Sequence, residues 1–386
     1  MTRSPLRARL LTALAGDPDG TPSWVRALAD GDDRGYFADG GAVWTVHAGT
    51  ATFVAGIRAL LIQALHPGAM AGVHDFSRYR EDPIGRLTNT VRWIICVTYG
   101  STEQAKAETA RVGRLHQRVS GTYATDAGPR TYSASDASLL EWVHLAFTEA
   151  FLGAHQRWGG PIPGGADAYV REWAQAGRLM RVPDPPETEA ALRSRMDGYL
   201  DRGELVFDER VAEVVRFLRD VPFTGAMRLA YRVLFAAAVA SLPRPYRKLL
   251  GLRRTPLPVI TTTRIVLAVS SKALGSGPRA QDFARQRHQR LQQAAPPVSE
   301  HRRQGGPPPL PTRGGAGRPS RRSLRPGLIH RSPAVLPWSV PSVSIASASS
   351  ATARRPSSSM VAPRRSSGST SITYRRISAC CSAVRP

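Results

Sequence analysis

Three histidines lie on apolar, helix-forming segments and could do chemistry: His66, His116 and His144. Neutral imidazole is the commonest metal ligand in proteins and the usual proximal ligand of haem iron. His116 could ligate iron, because Val112, Leu115 and Val119 would form an apolar wall around an inward imidazole. A buried imidazole can equally be a core residue whose nitrogens find hydrogen-bond partners. The residues alone leave both roles open for His116.

The other two histidines carry weaker signals. His144 falls on the helical face of Leu140, Phe147 and Phe151, where it could be a second pocket residue or a hydrogen-bonded core residue. His66 directly precedes Pro67 at a helix end, a position typical of a capping or packing residue.

Arg86 and Thr90 form a possible anion clamp. They are four residues apart, so on a helix they share a face and could present a cation and a hydroxyl to one anionic or oxygen-bearing ligand, such as a haem propionate. Polar residues at this spacing also occur on ordinary solvated faces. The spacing therefore permits a clamp without requiring one.

Several enzyme classes leave no signature in the sequence. The nucleophile elbow G-x-S-x-G, the phosphate loop G-x-x-x-x-G-K-[ST] and the zinc motif H-E-x-x-H are all absent. The three cysteines are Cys96 and the adjacent Cys380 and Cys381. This spacing predicts neither a disulfide framework nor a cysteine-based zinc site. A reducing compartment fits this cysteine usage.

Helices must position the candidate residues. Apolar residues recur at helical spacing before Pro67, from Val91 to Tyr99, and from Ser101 until Gly121 stops the pattern. The clearest helix spans residues 135–158, and further helices are predicted at about 167–179, 187–200, 211–218, 224–240 and 262–274. No set of alternating strands competes with them. The sequence predicts an all-α, globin-like multi-helix domain over residues 35–290, after an irregular segment at residues 1–34.

The C-terminal part has a different composition. Residues 301–386 hold fifteen Arg and no Lys, Asp or Glu, which leaves +9 of the formal charge of +24 for the first 300 residues. Pro, Ser, Arg and Gly dominate after residue 290, which predicts a disordered tail at 291–386. A frameshift in GC-rich coding sequence would produce the same composition. The protein sequence alone does not distinguish a frameshift from a selected Arg-rich tail.

Charge and targeting signals suggest partners and location. The first 300 residues lack a compact Lys/Arg run and a nucleic-acid-binding signature, so nucleic acid is not a predicted partner. No convincing cleavage site follows the short apolar run Leu10–Ala15, and no stretch reaches the eighteen apolar residues of a spanning helix. We expect a cytoplasmic protein without a transmembrane segment, for which peripheral membrane contact stays open.

Seven segments, taken in order, resemble one known family. They are residues 58–67 (RALLIQALHP) with Gly72-Val73, 82–87 (DPIGRL), 114–119 (RLHQRV), 132–136 (YSASD), 142–144 (WVH), 151–152 (FL), and Leu242-Pro243 with 250–252 (LGL). Each segment is weak alone, but together they are similar to the rubber oxygenase (latex-clearing protein) and MpaB-type oxygenase family, in its uncharacterised bacterial branch. The resemblance covers about residues 35–290.

The resemblance implies a globin-related helical fold that holds one haem b. Matched residue by residue, His116 takes the place of the proximal iron ligand, and Arg86 and Thr90 match an Arg and a Thr near the haem, where they would act in catalysis. His144 matches another family histidine, of less certain role, near the cofactor. Family members of known activity use O₂ to cleave carbon–carbon double bonds of polyprenyl substrates.

The predicted function follows from this resemblance: a haem-b-dependent oxygenase that acts with O₂ on an apolar prenyl, terpenoid or lipid substrate. Because a clear export signal is missing, we expect an intracellular substrate rather than extracellular rubber. Phe147, Phe151 and Trp93 are expected to line an apolar pocket. The alternatives are a non-catalytic haem or lipid-binding protein of the same fold, and a haem-free protein in which His116 is a core residue. The oligomeric state has no signal in the sequence.

Overall fold

The computed structural model describes residues 21–76, 83–125, 128–223, 225–256, 258–274 and 279–294, and the side chains of residues 83–88 and 273–274 lie outside this description. In chain order the helices are α1 (Ser23–Arg26), a 3-10 turn (Ala27–Ala29), α2 (Ala42–Ala48), α3 (Thr52–Gln63), α4 (Pro67–Phe76), α5 (Pro83–Tyr99), α6 (Thr102–His116), α7 (Ala137–Trp158), α8 (Gly165–Leu179), α9 (Glu189–Asp201), α10 (Glu209–Arg219), α11 (Gly225–Ser241), α12 (Arg244–Leu249), α13 (Val259–Leu274) and α14 (Ala280–Ala294). The protein is all-α, as the sequence predicts.

Two short strands are present within this helical fold, contrary to expectation. β1 (Ser120–Thr125) and β2 (Gly128–Ser133) pair antiparallel, with Gly121 opposite Tyr132 and Tyr123 opposite Arg130. Tyr123 and Tyr132 are both buried and pack with Ala71 of α4 and Leu139 of α7. The prediction of a helix continuing to Gly121 is wrong, because α6 ends at His116 and β1 begins at Ser120.

The core lies around α7, the longest helix. α7 packs along α3 and also contacts α4, α8, α9 and α11. Its apolar face is broad because Trp142, Leu145 and Ala146 are buried on one side and Ala150 and Phe151 continue that side two turns on. A helix that is apolar on so wide a face must be covered by several neighbours, and it forms the centre of the molecule.

A buried ion pair joins three helices of this core. Arg58 of α3 is 1% exposed; it donates to Glu149 Oε1 of α7 at 2.5 Å and to the carbonyl of Ser241 at the end of α11. Burial raises the pKa of Glu149, and the guanidinium opposes that rise. Removing one partner of such a pair leaves an uncompensated buried charge, which typically costs about 3–5 kcal/mol.

The last described helix, α14, packs against the first described segment of the chain. Arg287 of α14 is fully buried and donates to the carbonyls of Leu28 at 2.6 Å and Tyr99 at 2.9 Å, and His288 Nε2 lies 3.0 Å from the carbonyl of Arg34. These bonds tie the 3-10 turn, the end of α5 and α14 together. The loop that follows the 3-10 turn passes close to the end of α5 at Gly35. Only glycine fits there, because φ is +80° and an added Cβ would lie 2.1 Å from the Gly100 carbonyl oxygen.

The search for membrane-spanning helices gives one bent pair. Among the described residues no single helix has both the length and the apolar character to cross a bilayer. α2 and α3 meet those criteria only together, and a bend of 94° separates them.

Candidate functional site

Helices α5 and α6 form an antiparallel pair that carries three of the four predicted site residues. Only Gly100 and Ser101 separate the two helices. Trp93 Nε1 donates to Thr109 Oγ1 at 3.1 Å, which fixes the facing sides of the pair. Counting outward from this bond, Thr90 lies about level with Val112, and the backbone of Arg86 about level with His116. Thr90 and His116 therefore belong to the same, open end of the pair.

A buried carboxylate reinforces this pairing. Glu108 of α6 is 4% exposed; its Oε2 lies 3.2 Å from Arg92 Nε of α5, and its Oε1 accepts from Arg111 Nη2 at 2.6 Å and from Arg111 Nε at 2.9 Å. Cys96 is buried beside this cluster, and burial, together with the Glu108 charge, raises the pKa of its thiol to about 12. The thiol is thus protonated, and the cluster serves to hold α6 against α5.

His116 is the last residue of α6 and is half-buried. Burial lowers the pKa of its imidazole, so the ring is neutral near pH 7 and keeps a lone pair for a metal. Its neighbour Leu115 is 46% exposed, and a methyl group built on Gly113 would meet no atom within 4 Å. The surroundings of His116 are therefore apolar in part and open in part.

The hydrogen bonds of the other histidines set His116 apart. Of the seven histidines that the structure describes, five have a ring nitrogen in a hydrogen bond or in a short contact with a carbonyl, hydroxyl or carboxylate: His47, His66, His74, His155 and His288. Among the described residues, His116 and His144 have no such partner. A buried polar atom without a partner is the exception in a folded protein, and His144 Nε2 is such an atom. His116 is half-buried, and its ring nitrogens are likewise open to a ligand.

His144 lies on α7, against α8 rather than on the α5–α6 pair. It is 7% exposed, and its Nε2 has no hydrogen-bond partner among the described residues. A Cβ at Gly177 would come within 3.1 Å of this Nε2, so α8 can approach only with glycine there. Burial, together with the guanidinium groups of Arg178 and Arg195, lowers the pKa of His144 to about 4. The ring is neutral at physiological pH.

Arg86 and Thr90 are both on α5, four residues apart as the sequence predicts. The side chain of Arg86 lies outside the described part of the chain. Thr90 is exposed. The structure thus places the pair one helical turn apart at the open end of α5, and the clamp itself stays a prediction.

His66 takes the capping and packing role predicted for it. Its Nδ1 accepts a long, 3.5 Å hydrogen bond from the backbone N–H of Ala69 in the first turn of α4, and its ring packs beside Trp142 and Tyr199. Burial lowers its pKa to about 4. Those contacts account for the ring, and His66 is not our choice of iron ligand.

The sequence interpretation missed His47, the most enclosed histidine. Its Nδ1 lies 2.8 Å from Thr98 Oγ1 of α5 and its Nε2 lies 3.2 Å from the Tyr169 hydroxyl of α8. Burial lowers its pKa to about 3. Because both nitrogens are engaged, His47 joins α2, α5 and α8 as a core residue. The only sequence signal for it is its place in an apolar segment, Val43–Val46.

Aromatic rings fill the space between α5, α7 and α8. Phe147 and Phe151 stack at 4.0 Å between centroids, Phe147 stacks on Trp173 at 5.3 Å, and Trp93 meets Trp173 edge to face at 6.0 Å. The stack leaves no room for a ligand between Phe147 and Phe151. Both rings are buried core residues, and the apolar pocket expected beside them stays a prediction.

The described residues contain no cluster of three or more His, Cys, Asp or Glu side chains that could hold a metal ion. Haem does not require such a cluster, since the porphyrin supplies four nitrogens to the iron and the protein needs to add a single imidazole.

Comparison with protein-family models matches residues 44–271 to the family described as ER-bound oxygenase mpaB/B'/Rubber oxygenase, catalytic domain. Comparisons with curated proteins and with solved structures give no match. The matched range covers more than half of the 386 residues and includes α5, α6 and α7 with all four predicted site residues. The chain therefore belongs to the mpaB and rubber oxygenase family.

Proposed function

We propose that this protein is a haem-dependent oxygenase that acts with O₂ on an apolar substrate of prenyl, terpenoid or lipid type. The observation that carries the proposal is the state of His116: a neutral, half-buried imidazole without a hydrogen-bond partner among the described residues, at the open end of a helix pair fixed by Trp93–Thr109. Family membership supports oxygenase activity. The cofactor and the substrate are our inference.

The residues present fit a haem group. His116 offers a free ring nitrogen, open space lies beside Gly113, and the exposed Leu115 gives apolar surface next to it. Thr90 presents a hydroxyl at the same end of the pair, and Arg86 supplies a cation in the first turn of α5. An apolar wall, one imidazole and a cation for the propionates are the elements of a haem site.

Each residue then has a defined task. Haem, when bound, supplies the iron that activates O₂. His116 would hold the cofactor through its ring nitrogen, which burial keeps deprotonated. Thr90 would donate a hydrogen bond from its hydroxyl, and Arg86 would pair with a propionate. The Arg92–Glu108 ion pair keeps α6 against α5, so that these groups stay in register.

The test is an absorption spectrum of the full chain after expression with added haem. We expect a Soret band in the parent protein and its loss, or a much lower haem-to-protein ratio, in His116→Ala, because the substitution deletes the iron–nitrogen bond. His74→Ala is the matched control, since His74 is a surface residue of α4 paired with Asp75. A parent without a Soret band would refute the proposal, and retained haem in His116→Ala with loss in His144→Ala would move the ligand to His144.

A second measurement separates an oxygenase from a carrier that only binds haem. We expect the haem-loaded parent to consume O₂ when a polyprenyl or terpenoid substrate is added. Haem-loaded protein that consumes no O₂ with any such substrate would favour the non-catalytic alternative.

A further inference from the structure

One part of the chain has a one-sided charge. Between Asp220 and Asp282 the sequence contains no Asp or Glu. The same stretch holds ten cationic residues: Arg228, Arg232, Arg244, Arg247, Lys248, Arg253, Arg254, Arg264, Lys272 and Arg279. Nine of these residues lie between the start of α11 and the end of α13, and this part of the chain contains no acidic residue to neutralise them. The tenth, Arg279, follows α13 and is paired with Asp282.

The same helices expose unusually large apolar side chains. Half of the ten large hydrophobic residues that are exposed in the described chain lie on α11 and α13: Met227, Leu229, Ile260, Ile265 and Val269. Leu229, Ile265 and Val269 are 67%, 58% and 60% exposed. Exposure of several aliphatic side chains on two neighbouring helices marks an interaction site rather than scattered surface residues.

Cations and aliphatic residues alternate on the outer face of α13. Thr263 and Leu267 are buried and define its inner face. The opposite, outer face carries Arg264, Ile265 and Val269, which are all exposed. Lys272, about one turn after Val269, is exposed as well. α13 packs against α11, on which Arg228, Leu229 and Arg232 are exposed. The two helices thus carry outer faces with the same mixture of positive charge and aliphatic surface.

The exposed guanidinium groups are available to a partner. Among the described residues, Arg228, Arg232 and Arg264 take part in no salt bridge, whereas Arg111, Arg195 and Arg285 elsewhere in the chain are each paired with a carboxylate. Unpaired cations beside exposed aliphatic side chains are the composition of helices that lie in the interface of an anionic bilayer.

We propose that the outer faces of α11 and α13 form a docking surface for an anionic lipid bilayer. The aliphatic side chains enter the boundary between headgroups and acyl chains, while the cations contact lipid phosphates. This inference stands apart from the proposed haem chemistry, since it uses none of the same residues. It adds a route by which an apolar substrate could reach the protein directly from a membrane.

Two other occupants fit the surface less well. The Arg-rich residues 301–386 of the same chain contain no acid, so like charges oppose their binding to this face. Nucleic acid is anionic, but single strands are bound by stacking bases on aromatic rings, and a duplex is bound through its phosphates; neither gives the exposed aliphatic residues an apolar phase to enter. A lipid bilayer satisfies both the charge and the apolar surface.

The experiment is flotation of the full chain with vesicles of phosphatidylcholine alone or mixed with phosphatidylglycerol, at low and high salt. Two triple variants test the surface, Arg228→Gln/Arg232→Gln/Arg264→Gln and Leu229→Ser/Ile265→Ser/Val269→Ser. We expect the parent to bind only the anionic vesicles, and each triple variant to bind them at least about tenfold more weakly. The pair Arg157→Gln/Arg171→Gln, on exposed positions of α7 and α8, is the charge control and should bind as the parent does.

Because all variants keep residues 301–386, any binding due to that part of the chain is common to them. Anionic vesicles that bind the parent and both triple variants equally would overturn the proposal, as would a parent that binds no vesicles. If the apolar triple variant binds as the parent does while the Arg variant loses binding to vesicles and to a DNA duplex alike, the surface is a general polyanion site and the lipid assignment is wrong. Far-ultraviolet circular dichroism of each variant checks that the helices are retained.

Discussion

Buried neutral histidines make this protein sensitive to acid. Burial lowers the pKa of His47 to about 3 and those of His66 and His144 to about 4, whereas an unfolded histidine titrates near 6.5. Below pH 6.5 the unfolded chain therefore binds protons that the folded chain excludes. Each such group removes about 1.4 kcal/mol of unfolding free energy per pH unit until its folded pKa is reached.

We predict that the stability contributed by these neutral histidines is fully present above about pH 6.5. The unfolding free energy should then fall steeply between pH 6 and pH 4. His144→Leu should reduce that slope by about one proton, because the leucine keeps the volume and removes one titrating group, whose Nε2 has no partner to lose. Urea unfolding at a series of pH values measures this. An identical slope in parent and variant would mean that His144 is protonated in the folded state or accessible to water.

Thr90 gives a second prediction for a single residue, which rests on the proposed function. Thr90→Val keeps the shape of the side chain and removes the hydroxyl, so we expect normal haem content and O₂ consumption lowered by about 10–100-fold, the usual range for a residue that positions a ligand. Haem-to-protein ratio and O₂ uptake are measured on the same sample. Unchanged uptake would exclude Thr90 from the reaction.

At the scale of elements, the start of α6 determines how His116 is presented. Ser101 caps this helix: its Oγ accepts from the Gln104 backbone N–H at 3.2 Å, and the Gln104 side chain accepts from the Ser101 backbone N–H at 2.9 Å. Loss of such a cap typically costs about 1 kcal/mol.

We predict that Ser101→Ala lowers the unfolding free energy by about 1 kcal/mol and also weakens haem retention, since α6 carries His116. Thr188→Ala is a matched control. Thr188 caps α9 in the same way, accepting from Ala191 N–H at 3.1 Å, and lies on no site helix. It should cost similar stability while leaving haem content unchanged. Equal haem loss in both variants would trace the effect to general destabilisation.

Most helices were predictable from apolar spacing, and the exceptions have physical reasons. α7, α8, α9, α11 and α13 lie close to their predicted positions because each has a regular apolar face. The hairpin β1–β2 escaped prediction because each strand buries a single tyrosine, too few for a visible alternation. α14 escaped because its inward face relies on Arg287 and His288, polar residues that only their backbone partners in residues 28–34 make suitable for burial.

The site was predictable in part. Helical spacing placed Arg86 next to Thr90 and made His116 a candidate, but only the family resemblance ranked it above the other histidines. The Trp93–Thr109 hydrogen bond and the Arg92–Glu108 ion pair bring α5 against α6. Each joins residues 16 apart in the sequence, a contact that no local pattern records. Nor could spacing show that Phe147 and Phe151 stack on each other.

At the scale of the whole molecule, composition separates residues 301–386 from the rest. With fifteen Arg, no acid and abundant Pro and Ser, this part supplies little apolar surface to bury. We predict that deleting residues 301–386 leaves the thermal unfolding midpoint and any haem content unchanged. A truncated protein that loses cooperative unfolding would contradict this.

The bonds of Arg287 have a consequence for the order in which the chain folds during its synthesis. The carbonyls of Leu28 and Tyr99 receive their buried partner only after a residue 259 positions beyond Leu28 has been made. Until then a ribosome-bound chain holds those carbonyls without the guanidinium that satisfies them, so the first segment cannot reach its final state early.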